Sequence, residues 1–346
     1  MEYTKLGRSG ITVSKICLGT MTWGEQNSKE DGFAQMDYAI ENGVNFLDTA
    51  EMYPIDTRAA TYGHTEEIIG NWLKQRKNRS EVVIASKVCG PGRHHVRHGK
   101  CNFDRKNIIS AINGSLKRLQ TDYIDLYQLH WPDRNWVDFG NLGQSTFIPD
   151  NGADRSETLD TIDELIKEGK IRSWGLSNES AWSVMDFVGR TICRDNDQIR
   201  PVTVQNAYNL LNRKFEISLA EIAFREDVGL LAYAPVAAGV LTGKYLNGAR
   251  PTDARMTIWP HQDRYFNPKA EVATESYIQL AKKFGVAPEI LAHAFVVSRS
   301  FVTASIIGGT KIEHLSQAFK ALSYDISEEL EQEFERLHRE YLVPAP

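Results

Sequence analysis

Eight short apolar runs, segments of helical period between them and no Pro-, Ser- or Gly-rich linker together predict an α/β protein of the (β/α)8 TIM-barrel class. The runs are "KICLGTM" (15–21), "VNFLDTA" (44–50), "VVIASKV" (82–88), "YIDLYQLHW" (123–131), "IRSWGLSN" (171–178), "VTVQNAY" (202–208), "GLLAYAPV" (229–236) and "ASIIGGT" (304–310). Several are apolar throughout their centres, which suits strands covered on both faces of a parallel sheet. Parallel neighbours cannot be joined by a tight turn. Each crossover needs a return the size of a helix.

Taken in order, residues 1–14 read as a short N-terminal hairpin ahead of the barrel. "SKEDGFAQMDYAIENG" (28–43) opens at a Ser cap and stops at a Gly. "HTEEIIGNWLKQRKN", "DRKNIISAINGSLKRLQ", "RSETLDTIDELIKEGK" and "ESAWSVMDFVGR" continue in the same style, and "DRKN" and "RSET" offer an Asp or Ser ahead of the first apolar turn. Long polar loops are expected at 132–154, after the fourth strand, and at 240–268, after the seventh. Both leave the carboxyl ends of strands, the rim on which barrel active sites are built. "ILAHAFVV" reads as a core helix in which His293 is structural, and "SEELEQEFERLHREY" as an extra C-terminal helix. The whole chain, 1–346, reads as one domain.

Composition excludes several function classes. A net charge of −5 gives no electrostatic reason to expect nucleic acid or an anionic membrane as partner. No window approaches a membrane span, and the amino-terminal stretch lacks a secretory apolar core, so the cytoplasm is the expected compartment. Cys17, Cys89, Cys101 and Cys193 are scattered without a CxxC pair and read as free thiols. His94, His95 and His98 in "RHHVRHGK" read as part of a solvated loop, so no metal is expected. "CGPGRHH" lacks the third Gly of a dinucleotide fingerprint, and "GVLTGKY" carries Tyr245 where a P-loop needs Ser or Thr. Oligomeric state is not encoded in any visible pattern.

The chemistry is carried by four side chains at successive strand ends. Asp48 and Tyr53 leave the second strand in "NFLDTAEMYP", Lys87 ends the third and His130 ends the fourth. Each has a structural alternative: a turn cap, a loop aromatic, a strand-end cation, a core histidine. Together, on neighbouring strands about 4.8 Å apart, they converge on one side of one rim. Asp48 would keep a buried Lys87 charged and in place. A Lys87 ammonium beside Tyr53 would lower the phenol pKa, making a general acid for a carbonyl oxygen that is becoming an alkoxide. His130 would orient that carbonyl, and Trp23, Tyr53, His130 and Trp131 would line an aromatic substrate pocket.

"LDTAEMY", "IASKV" and "YQLHWP" resemble the Asp, Tyr, Lys, His tetrad segments of the aldo-keto reductase superfamily. "LGRSGITVSKICLGTMTWGEQN", "SLKRLQTDYIDLYQLH" and "LIKEGKIRSWGLSN" extend the resemblance over nearly the whole chain. "EMYP", "GNWL" and "LTGKYLNGARP" are most similar to its bacterial Tas-type NADP(H)-dependent members. The resemblance implies NADPH bound without a Rossmann fold and hydride transfer to an aldehyde or ketone. Thr20, Met21 and Asp48 would border the cofactor, with Ser177, Asn178 and Gln205 on the carboxamide and Tyr233 under the nicotinamide ring. Pro235, Val236, Ala237, Leu241, Gly243 and Lys244 would cover the pyrophosphate, with Arg255 a further phosphate contact. Gly309, Thr310 and Lys311 would receive the 2′-phosphate. The family usually continues with Gln or Arg, then Glu and Asn; here those positions are His314, Gln317 and Ala318, so a preference for NADP over NAD rests on Lys311. Ala234 stands where relatives often carry Ser. Two other classes compete: an NADPH-binding regulatory or chaperone-like module with little turnover, and a Schiff-base aldolase using Lys87. The aldolase needs a neutral amine, which Asp48 opposes.

Overall fold

A computed structural model of the chain describes residues 1–136, 143–194 and 196–346. Strands β1 (Tyr3–Lys5) and β2 (Thr12–Ser14) form an antiparallel hairpin, with Tyr3 opposite Ser14. Eight parallel strands follow: β3 (Ile16–Gly19), β4 (Phe46–Asp48), β5 (Val83–Val88), β6 (Ile124–Leu129), β7 (Ile171–Ser177), β8 (Thr203–Ala207), β9 (Gly229–Tyr233) and β10 (Val302–Ile307). They pair in chain order, and β10 returns to β3 with Ser305 opposite Ile16, closing the barrel. All eight expected runs are barrel strands.

Helices surround the barrel: α1 (Lys29–Glu41), α2 (His64–Arg76), α3 (Arg105–Leu119), α4 (Arg155–Lys167), α5 (Ala181–Cys193), α6 (Leu219–Glu226), α7 (Arg255–Ile258), α8 (Pro268–Lys283), α9 (Pro288–Val297), α10 (Ile312–Ala321) and α11 (Glu328–Tyr341). Ser28 caps α1 in a reciprocal box: its Oγ accepts from the Asp31 amide and its own amide donates to Asp31 Oδ2. Asp104 caps α3, but the cap of α4 is Asp154, just ahead of the "RSET" segment, and not a residue within it. The span 240–268 is not an irregular loop: it holds short helical turns at Ala237–Thr242 and Leu246–Gly248 and then α7. In the loop at 132–154, residues 137–142 lie outside the described residues, while the Asp133 carboxylate gathers the Phe103 and Ala153 amides.

Two apolar layers follow from the closed sheet. Outward strand residues such as Ile16, Leu18, Ile84 and Val204 pack with the helices. Inside the barrel, Cys17, Phe46, Ala85, Leu126, Leu231 and Ala304 form a second cluster, completed by Leu6, Ile11 and Val13 of the hairpin. The hairpin therefore plugs the amino end of the barrel. Gly7 lets it turn there: its φ is +49°, and a Cβ would lie 2.5 Å from the Val202 carbonyl oxygen. With that end closed, only the carboxyl rim is open for chemistry.

Candidate active site

Parallel register puts Asp48 beside Ala85 and Lys87 beside Gln128, so the ends of β4, β5 and β6 reach the rim at one level. Lys87 is fully buried, and its Nζ donates to Asp48 Oδ2 at 2.6 Å, to the Thr49 carbonyl at 2.8 Å and to Tyr53 Oη at 3.4 Å. Burial opposes its positive charge, but Asp48 and Tyr53 together outweigh burial and hold its pKa above the usual lysine value. The other Asp48 oxygen accepts from Gln205 Nε2 at 2.8 Å and Gln128 Nε2 at 3.3 Å, which satisfies the carboxylate on both sides. Thr20 is buried, its hydroxyl donating to the Asp48 carbonyl.

Tyr53 corrects one expectation. Burial pushes its phenol up more than Lys87 pulls it down, and Asp48 adds to the rise, so the net shift is upward. The resting group is a neutral phenol. His130 meets the Tyr53 ring edge-on, with centroids 5.6 Å apart, and its Nδ1 is buried without a hydrogen-bond partner. Burial first, then Lys87 and Arg93, pushes the imidazole well below its ordinary range, which keeps it neutral.

Of the expected pocket aromatics, Trp131 lies 4.8 Å from the His130 ring and donates its indole N–H to the Pro91 carbonyl. Trp23 does not line the pocket. It is fully buried, donates to Gln35 Oε1, and packs against Gly32 of α1, where a Cβ would come 3.1 Å from its ring. Met21 is partly buried and packs against the apolar cluster that contains Met52 and Tyr53.

A second set of residues extends along the rim. Ser177 donates to the Gln205 carbonyl, and Asn178 Nδ2 donates to the His130 carbonyl at 2.9 Å. Tyr233 donates its hydroxyl to Asn178 Oδ1 at 2.6 Å, and burial pushes that phenol up to about 12. After Pro235 and Val236, Ala237, Ala238 and Gly239 all have positive φ, turning the backbone sharply over the rim. The side chains of Ala237 and Leu241 point into the main core, so this loop offers backbone there. A Cβ on Gly243 would strike Ile278, and one on Gly239 would come 2.8 Å from Lys244 Nζ.

Lys244 is exposed, and the partial desolvation of its ammonium by the surrounding loop lowers its pKa. Lys311 pairs with exposed Asp253 at 3.2 Å, and the Thr310 carbonyl accepts from Asn27 Nδ2. His314 is pushed down by burial and then by the neighbouring Lys244 and Lys311 charges. A Cβ on Gly309 would lie 2.8 Å from His314 Cβ, whereas one on Gly308 would meet only the Gly19 carbonyl oxygen at 3.8 Å. Gln317 Oε1 is buried without a partner, and Ala318 is core. Arg255 donates to Gln262 Oε1, and burial lowers the pKa of its guanidinium.

Two participants were not anticipated. Gln128 sits inside an apolar strand, and a buried amide in such a run is itself the signal that it has a partner. Arg264, in a polar loop, donates to Tyr233 Oη at 3.3 Å; no local pattern marks it.

With that geometry in hand, the comparisons are decisive. The model of the Aldo/keto reductase family matches residues 15–339. The chain belongs to the aldo-keto reductase family. This aldo-keto reductase is 44% identical over 349 residues to "Protein tas" of Escherichia coli (strain K12), covering 100% of both chains. It is 32% identical to "Uncharacterized oxidoreductase YrpG" of Bacillus subtilis, over 95% of this chain and 94% of the relative. It is also 30% identical to "Probable voltage-gated potassium channel subunit beta" of Oryza sativa subsp. japonica, over 93% and 91%. Family membership makes the protein an oxidoreductase of the carbonyl-reducing kind. Among the described residues, no helix is long and apolar enough to cross a membrane.

Proposed function

We propose that the protein is an NADPH-dependent reductase of aldehydes or ketones in which Tyr53 is the general acid, assisted by Lys87, Asp48 and His130. One observation carries this reading: the Lys87 ammonium lies between Asp48 at 2.6 Å and the Tyr53 hydroxyl at 3.4 Å, beside a neutral His130. Tyr53 gives its proton to the carbonyl oxygen as negative charge develops there. The adjacent ammonium stabilises the phenolate left behind, and solvent restores the proton. Asp48, itself held by Gln128 and Gln205, keeps the ammonium charged and in position. Neutral His130 can offer a ring N–H to the same carbonyl oxygen, orienting it toward Tyr53.

The rim residues fit a phosphorylated nicotinamide cofactor. Lys244, Lys311 and His314 gather cationic capacity, Gly308 leaves open space, and the buried Gln317 Oε1 lacks a partner. Ser177, Asn178, Gln205 and Tyr233 would hold the nicotinamide end, and Lys311, Thr310 and His314 the 2′-phosphate. Such a cofactor, when bound, supplies the hydride. The unpaired thiols Cys17, Cys89, Cys101 and Cys193 suit a reducing compartment, and we take the chain as one domain acting in the cytoplasm on a small-molecule carbonyl.

A module with little turnover is the second reading, favoured by the likeness to a relative named as a channel subunit. The test is oxidation of NADPH and NADH, in parallel, over a panel of aldehydes, ketones and quinones. The reductase reading expects turnover with at least one carbonyl class. Tight cofactor binding with no turnover across the panel would support the module.

A further inference from the structure

Past the end of α11 the chain does not fray. Leu342 adopts φ +54°, which side-chain-bearing residues rarely do, and turns the backbone out of the helix. The next residues are then pinned at three points. Asn267 Nδ2 donates to the Pro344 carbonyl at 2.9 Å, while the Asn267 Oδ1 caps α8 through the Ala270 amide. The Ala345 amide donates to the Leu211 carbonyl, and Ala345 itself is fully buried in the main core. Arg264 Nε donates to the Pro346 carbonyl at 2.8 Å. The two prolines here, Pro344 and Pro346, reduce the freedom that ordering this stretch costs.

The tie continues into the site. The same Arg264 guanidinium donates through Nη1 to Tyr233 Oη at 3.3 Å; Tyr233 donates to Asn178 Oδ1 at 2.6 Å; and Asn178 donates to the His130 carbonyl at 2.9 Å. Tyr233, Asn178 and Arg264 also share one open pocket on the rim. A continuous run of hydrogen bonds therefore joins Pro346 to the backbone of His130. Tyr233 is the last residue of β9, paired with Ala207 and Ile306, and Ala234 follows at φ +56°, so the ladder holds its backbone while its ring and hydroxyl depend on side-chain partners. Arg264 supplies the lateral restraint.

We propose that residues 344–346 form a strap that fixes Arg264 against Tyr233, making Arg264 a positioning residue for the aromatic platform of the cofactor site. The proposal rests on the reading that Tyr233 carries the nicotinamide. Arg264 does not touch the reacting atoms. Its loss acts on how firmly the platform is held, and so on cofactor affinity, while the proton chemistry of Tyr53 and Lys87 keeps its pH dependence.

The experiment uses the full chain, a variant lacking residues 344–346, Arg264→Ala, and the two changes combined, with NADPH affinity measured by calorimetry and steady-state kinetics measured across pH. Each single change is expected to weaken NADPH at least tenfold, with a smaller effect on kcat at saturating cofactor and an unshifted pH profile. The combined variant is expected to be no weaker than either single one, because the strap acts through Arg264. Additive losses, or affinity unchanged in both single variants, overturn the proposal. Arg264→Lys keeps the charge without the planar fork that bridges Pro346 and Tyr233. It is expected to reproduce most of the loss, and it decides the matter if the shortened chain fails to fold. Tyr233→Ala separates the two levels: if it weakens NADPH while the strap variants do not, the strap fails and the platform stands. If the unaltered protein binds no nicotinamide cofactor, the platform reading fails and takes the strap with it.

Discussion

At the scale of single residues, the buried Lys87–Asp48 pair decides both stability and chemistry. An ammonium with no exposed surface is tolerated only while its carboxylate is present. Asp48→Asn removes that partner and is expected to destabilise the fold by about 3–5 kcal/mol, read as a lowered urea midpoint. The upward shift of Tyr53 gives a signed pH dependence. Carbonyl reduction needs the protonated phenol, so its rate is expected to stay level through neutral pH and fall at alkaline pH. Alcohol oxidation needs the phenolate and is expected to rise over the same range. His314 gives a second one. Its pKa is lowered by burial in the free protein, and on the proposed function a 2′-phosphate would favour the imidazolium, so NADPH binding would take up a proton. NADPH affinity is therefore expected to tighten as pH falls while NADH affinity does not, and His314→Ala should abolish that difference in a calorimetric titration.

At the scale of elements, strand ends carry the site and the hairpin keeps the opposite end shut. Gly7→Ala forces a left-handed backbone on a side-chain-bearing residue, costing roughly 1–2 kcal/mol before the contact with the Val202 carbonyl is counted. A lower melting temperature with unchanged cofactor affinity is the expected result. The barrel strands were legible in the sequence because each is an apolar run buried on both faces, and "VVIASKV" or "YIDLYQLHW" has no other use for that pattern. Lys87 and Asp48 were legible because a charge ending such a run needs a partner. Trp23 was misjudged because period alone does not say whether a residue after a strand rises over the rim or folds back; the small Gly32 and the Gln35 acceptor on α1 draw it into the core. Arg264 could not be read at all, since its partners Tyr233 and Pro346 lie far away in the chain. The upward Tyr53 shift was likewise hidden, because burial is a property of the packed site and outweighs the lysine beside it.

At the scale of the molecule, the carboxyl rim is assembled from distant stretches of chain, so a ligand that bridges them would stabilise the fold. The loop from Ala237 to Gly239, the Asp253–Lys311 pair and the Asn27–Thr310 bond bring three separate stretches of chain over one rim. NADPH in hundredfold excess over its Kd is expected to add about 2.7 kcal/mol to stability, seen as a rise in melting temperature that NADH matches only weakly. The account stands or falls on the phenol beside the lysine. Single-turnover reduction of an accepted aldehyde by Tyr53→Phe protein preloaded with NADPH tests it most directly. The expected outcome is undisturbed NADPH affinity with the reduction rate down about 10²–10⁴-fold, whereas a rate near that of the unaltered protein would mean that another group delivers the proton.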